Sequence, residues 1–309
     1  MKNTCLISTA LLIINLLVVA ENLKAQDPSF SQSFSSSLNL NPALTGFTGF
    51  TRIQASQRIQ WPSIPGAFYT TYLAADFSSK GDKFGFGIST MYDIAGSNVL
   101  TTFSQTLSFA YRLKFNENSA LRFGIGLGYN IRTIRWDNLI IVEEIFPASS
   151  SIIYGKINLG AFFHNRYLYA GYSVFNVNEP NQSFFQTSNS SLPMRHSVQF
   201  GVKISPSENE NFRLNFAGVF YKQMDFETIL IGFNSMYKRL GFGLMFRSQD
   251  AYIAAISYNQ KRFQVRYSYD LTMSRLTNQT GGSHEFSLGL LLGKGRDARV
   301  NGTWVQNQF

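Results

Sequence analysis

Between Thr48 and Leu292 the chain changes side at every second residue, in segments separated by Gly, Asn, Ser or charged turns. In Lys261–Leu271, Phe263, Val265, Tyr267 and Tyr269 fall on one face, and Arg262, Gln264, Arg266, Ser268 and Asp270 fall on the other. Side chains of a strand alternate across its sheet, so the pattern describes one apolar wall and one polar wall. The segments run to about 10–15 residues, long enough to cross a bilayer at the usual tilt. A soluble sandwich would use shorter strands and keep its aromatics inside. The pattern therefore predicts an all-β protein, a transmembrane antiparallel up-and-down β-barrel of about fourteen strands over residues 48–292.

The connections predict a topology. The longer ones, Trp61–Gly66, Ile94–Asn98, Asp137–Ser151, Glu179–Pro193 and Thr272–Gly281, all follow odd-numbered strands. Connections after even-numbered strands, such as Lys80-Gly81-Asp82, Asn116-Glu117-Asn118 and Tyr237-Lys238, are short. Bacterial barrels have short periplasmic turns and longer outer loops, so this parity places both termini in the periplasm.

Lys2 and an apolar run from Leu6 to Ala20, closed by Leu23, Lys24 and Ala25, read as a secretory signal peptide over residues 1–25. Cys5, the single cysteine, leaves with it, and the mature chain has no thiol, disulfide or cysteine metal site. Removing Lys2, Lys24 and Glu21 lowers the formal net charge from +9 to +8. The basic residues are dispersed at alternate strand positions and turns, which argues against a nucleic-acid partner. Aromatic content of 15% suits interface girdles, and a mean hydropathy of −0.07 is the average of two opposite faces.

In Arg122–Arg132 the inward set is Arg122, Gly124, Gly126, Gly128, Asn130 and Arg132, with Phe123, Ile125, Leu127, Tyr129 and Ile131 toward lipid. Glycines there leave room against the wall for water, an arginine network or an inserted segment. Size alone leaves open whether such a barrel conducts.

Catalytic chemistry finds little support. Of the histidines His164, His196 and His284, only the last has a neighbouring acid, and adjacent strand residues point to opposite faces, so His284 and Glu285 make no dyad. The histidines are too dispersed to be metal ligands, and Glu143 and Glu144 read as a solvated loop. No helix follows Gly124–Gly128, which removes a dinucleotide loop. Neither enzyme activity nor a cofactor is expected.

The mature start does not alternate. It reads Gln26-Asp27-Pro28-Ser29-Phe30-Ser31-Gln32, then Leu38-Asn39-Leu40-Asn41-Pro42-Ala43-Leu44-Thr45-Gly46, followed by Arg58, Trp61-Pro62, Ile64-Pro65-Gly66 and a Tyr/Thr strand ending in Asp76, with Gly282-Ser283-His284-Glu285-Phe286 much later. Together these resemble the PorP/SprF family of Bacteroidetes outer-membrane proteins, associated with type IX secretion and gliding. Two departures are the serine run Ser33–Ser37 and the continuation from Gly293 to Phe309.

The resemblance implies a non-enzymatic outer-membrane barrel, held in the lipid bilayer, that supports secretion and surface anchoring of a large adhesin-like cargo with a C-terminal sorting domain. Its other partners would be periplasmic and outer-membrane type IX components. Partner-binding candidates on this reading are Phe30, Gln32, Leu40, Asn41, Pro42, Gly46, Arg58, Trp61 and Pro62. The chain is thus divided into a signal peptide (1–25), a periplasmic or plug segment (26–47), the barrel (48–292) and a basic tail (293–309). The alternative, favoured by a polar lumen, is a small-solute diffusion channel.

Overall fold

The computed structural model describes residues 29–136, 149–185, 189–204, 212–260, 262–273 and 280–293. The expected signal peptide, Glu143 and Glu144, and the expected tail beyond Gly293 lie outside them. Fourteen antiparallel strands close into one barrel, each pairing with its sequence neighbours and β1 with β14. They are β1 (Thr51–Gln60), β2 (Phe68–Ser78), β3 (Phe84–Ala95), β4 (Leu100–Lys114), β5 (Ala120–Arg135), β6 (Ser149–His164), β7 (Leu168–Phe175), β8 (Arg195–Ile204), β9 (Phe212–Gln223), β10 (Phe226–Tyr237), β11 (Leu240–Arg247), β12 (Ala251–Gln260), β13 (Phe263–Thr272) and β14 (Ser283–Leu292).

Closure removes every edge within the bilayer, where an unpaired backbone N–H or C=O has no water to bond. Each strand then presents its apolar parity outward. Phe123, Ile125, Leu127 and Tyr129 of β5 are exposed on the outer wall while Arg122 and Asn130 are buried inside; on β13, Phe263, Val265 and Leu271 are exposed while Arg266, Ser268 and Asp270 are buried. His284 and Glu285 do separate, with Glu285 fully buried in the lumen and His284 on the outer face, its Nδ1 2.8 Å from Tyr267 Oη.

The lumen is filled from within the same chain. Residues 30–48 run through it as a 3-10 turn (Ser33–Ser36), one α-helical turn (Ser37–Leu40) and a second 3-10 turn (Pro42–Leu44), nearly all buried. Phe30 packs edge-on to Tyr72, and Leu40, Ala43, Leu44 and Phe47 join a cluster with Phe162, Tyr169, Val219 and Ile253 of the wall. The segment descends from the end bearing the longer connections, where Ser29 borders a cavity, to the short-turn end, where Phe47 meets the ring of His164. Ser29 therefore sits at the opposite end of the barrel from Leu292, the last residue of β14.

The wall is uneven. β5 and β6 are 16 residues each, but β7 has 8 and pairs only with Leu159–His164 of β6. The β5–β6 hairpin thus stands above the rim beside β7. One local expectation changes. Ile94 and Ala95 belong to β3, so the next connection is a short turn with Ser97 and Asn98 at positive φ. Trp61 precedes Pro62, a position that favours extended backbone, yet it adopts φ 58°, with its N–H donating to Gly282 O (3.0 Å) and its C=O accepting from Ile64 N (3.1 Å). Its ring sits edge-on to Phe68 at 5.8 Å and borders the lumen cavity.

The parity of connection lengths predicts orientation. A single cysteine at Ser150 should react with an impermeant maleimide on whole cells, and one at Gly81 or Asn118 should not; labelling at Gly81 with protection at Ser150 would invert the barrel.

Candidate functional site: a plugged lumen and its vestibule

Two polar centres on the inner wall hold the N-terminal segment. The first lies toward the long-connection end, where β1, β11, β13 and β14 point Arg58, Arg247, Asp270 and Glu285 inward. Arg58 Nη2 is 2.9 Å from Asp270 Oδ2, Arg247 Nη1 3.1 Å from the same oxygen, and Arg58 Nη1 3.4 Å from Glu285 Oε2. Ser31 and Gln32 complete this network. Glu285 accepts the backbone N–H of Ser31 (2.7 Å) and of Gln32 (3.0 Å), one on each carboxylate oxygen. The Ser31 hydroxyl donates to Asp270 (2.6 Å) and accepts from Arg58 and Arg247 (2.5 and 2.6 Å). Gln32 Nε2 donates to Ser268 Oγ and to the Glu285 carbonyl, both at 3.0 Å.

The second centre lies toward the short-turn end. Asn41 caps the second 3-10 turn by accepting from Ala43 N (2.9 Å), and Pro42 supplies the fixed φ of its first position. The Asn41 amide donates to Gln199 Oε1 (2.9 Å) and Ala161 O (3.0 Å) on the wall. Arg122 donates to the carbonyls of Ala43 (2.9 Å) and Thr45 (2.5 Å). Asp76 is gripped by Arg52 (2.8 Å) and accepts Gly46 N (2.6 Å), while Arg52 also reaches Leu44 O (3.3 Å). Gly46 has φ +65°, and a side chain there would strike the backbone of Phe77 and Gly85. At Gly124 an added Cβ would overlap the backbone of Pro42 and Ala43, so the segment does pack against the glycine wall there. Gly126 and Gly128 instead face Thr106 and Asn158, and the β4 backbone.

Of the residues singled out in the sequence, Phe30, Gln32, Leu40, Asn41, Pro42, Gly46 and Arg58 thus belong to the plug or its grip and are turned to the barrel's own wall, where a partner cannot touch them in this arrangement. Trp61 and Pro62 stand apart at the rim. The counterpart residues Arg52, Asp76, Arg122, Gln199, Arg247, Asp270 and Glu285 were not singled out as site residues, although each sits at an inward parity position where a charge or amide needs a reason. Above the plug is a vestibule of about 710 Å³ bordered by Ser29 and Asn39 below, by the cations Arg58, Arg132, Lys156, Arg195 and Arg247 and the acids Asp93 and Asp250, with Trp61, Phe68 and Phe175 as apolar surface. Among the described residues no group of His, Cys, Asp or Glu side chains converges as metal ligands.

Removing one partner of a buried ion network strands the others, at roughly 3 kcal/mol. Glu285→Gln should lower the stability of the folded barrel by about that amount and expose the N-terminal segment to protease, read by loss of the compact band on unheated gels. Gly124→Ala should do likewise by pushing the Pro42–Leu44 turn off the wall, while Gly126→Ala should be tolerated.

Comparison with solved structures finds barrels of low identity. A Pseudomonas aeruginosa FadL homologue aligns at 12% identity over 81% of this chain and 91% of its own, with a TM-score of 0.46. The Acinetobacter baumannii outer-membrane protein Omp33 aligns at 8% over 80% and 100%, TM-score 0.46, and the monoaromatic hydrocarbon channel CymD at 12% over 85% and 94%, TM-score 0.41. No curated protein matches the chain. The family model described as type IX secretion system membrane protein PorP/SprF matches residues 22–290, a span that takes in both polar centres, the plug and all but the last two residues of β14. The chain is a member of the PorP/SprF family, an outer-membrane β-barrel of type IX secretion.

Proposed function

We propose that this barrel works by binding proteins and not by passing solutes. Its long-connection end, with Trp61 and Pro62 at the rim, holds a large secreted adhesin-like cargo bearing a C-terminal sorting domain and retains it at the cell surface. Its short-turn end faces the periplasmic parts of the type IX machine. The observation that carries this reading is the plug: residues 30–48 occupy the lumen with their backbone groups bonded to wall side chains, which leaves the outer rim and loops as the working surfaces. No chemistry on the cargo is required of the barrel. The polar lining of the vestibule favours a second reading, a diffusion channel; it requires the plug to leave.

Two measurements separate the readings. In planar bilayers the purified protein should show no stable large conductance, and deletion of its gene should leave small-solute uptake unchanged while a large adhesin disappears from the surface. A steady open pore together with normal adhesin display would establish the channel instead. Trp61→Ala should reduce cargo retention with little change in barrel stability; unchanged retention would remove Trp61 from the contact surface.

A further inference from the structure

The step in the wall between β6 and β7 leaves a strand edge that the barrel does not use. β6 pairs with β5 along its whole length, from Ser149 opposite Arg135 to His164 opposite Ala120. On its other side β7 ends at Phe175, and the pairing stops at Leu159 opposite Val174. Just above, the chain leaving β7 covers two more residues in an unusual way. Val177 N donates to Ile157 O (2.9 Å), Ile157 N donates to Asn178 Oδ1 (2.9 Å), and Asn178 Nδ2 donates to Gly155 O (2.9 Å). The side-chain amide of Asn178 thus takes the place that a peptide unit of the next strand would hold.

Above Gly155 the substitution ends. In an antiparallel strand the N–H and C=O of one residue point to the same side and alternate residues point to opposite sides. Since Ile157 and Gly155 turn these groups away from β5, so do Ile153 and Ser151. No backbone partner exists for those two on that side among the described residues. Ile153 is also the most exposed large apolar residue of the described chain, at 72%. On its own face Ile153 is flanked by the small residues Ser151 and Gly155, while Ile152 and Tyr154 point to the opposite face. Natural sheets normally cover or charge such an edge, because it is a template for another strand.

We propose that the edge Ser151–Gly155 of β6 is a strand-addition site for an extended segment of the secreted polypeptide, which continues the row of amides begun by Asn178 and places an apolar side chain against Ile153. This names the contact for the cargo-binding reading above and rests on it. A partner recognised in this way is selected by its extended backbone and by alternate side chains, with no requirement for charge.

The test uses the full-length barrel in its own cells, with a benzophenone amino acid at Ser151 as the probe, and variants Ile153→Pro and Ile153→Ala. Proline removes the outward N–H without touching the ladder to β5, and edge strands tolerate it. Photo-adducts should map to one short segment of a secreted protein whose surface display depends on the barrel. Loss of one strand hydrogen bond and its neighbour should cut adduct yield and surface retention about five- to tenfold in Ile153→Pro, with a smaller drop in Ile153→Ala and an unchanged folded band on unheated gels in both. Adducts confined to the chain's own residues 137–148 or to a second copy of the barrel would overturn the proposal, as would unchanged retention in Ile153→Pro. If surface display of every secreted protein survives deletion of the barrel, the secretion reading itself fails; if display depends on the barrel but ignores the proline, only the edge is wrong.

Discussion

The structure depends on a requirement of the buried main chain: peptide groups taken out of water must find partners. The segment Phe30–Thr48 crosses the lumen with only single turns of helix, which leave most of its N–H and C=O groups without internal bonds. The wall supplies what is missing, with anions for the donors and cations for the acceptors. Glu285 and Asp76 take the amides of Ser31, Gln32 and Gly46, while Arg52, Arg122 and Arg195 bond the carbonyls of Leu44, Ala43, Thr45 and Asn39. Because these charges are buried, they need their bonds to the plug, and Arg52, Asp76 and Glu285 their ion pairs as well, so barrel and plug depend on each other. Glu285 lies in β14 and Arg58 in β1, so the same network also clasps the seam where the barrel closes.

The strands were legible because lipid outside and polar groups inside impose a period of two with little exception. The expected barrel of about fourteen strands over residues 48–292 is found as fourteen strands between Thr51 and Leu292. The plug was legible only as a stretch that fails to alternate. Its sequence, with Asn41 before Pro42 and Gly46 after, states a capped turn and a left-handed exit, but nothing local says which wall it meets. That information is long-range: Ser31 and Glu285 are 254 positions apart. The glycine face of β5 was a correct hint at Gly124 and a misleading one at Gly126 and Gly128, since absence of a side chain marks both a close approach and an ordinary tight wall. At Trp61 a tertiary bond to Gly282 outweighs the local preference of a residue before proline for extended backbone.

The motif pieces that set this chain in its family gain a physical meaning from the same contacts. The Phe-Ser-Gln, Asn-Pro-Ala, Arg58 and Ser-His-Glu elements, scattered along the sequence, converge on the plug and its grip. They therefore describe how the N-terminal segment is held in the lumen, and under the proposed function the contacts with cargo fall to the rim and the raised β5–β6 hairpin.

The most direct test of this account is amide hydrogen exchange of the barrel in a bilayer, read at residues 31–46. Locked in the lumen, the amides of Ser31, Gln32 and Gly46 should exchange at least about a thousandfold more slowly than those of an open chain, in the range of the strand amides. Exchange at the rate of a free peptide, with the strands still protected, would mean that the segment does not occupy the lumen and would contradict the account.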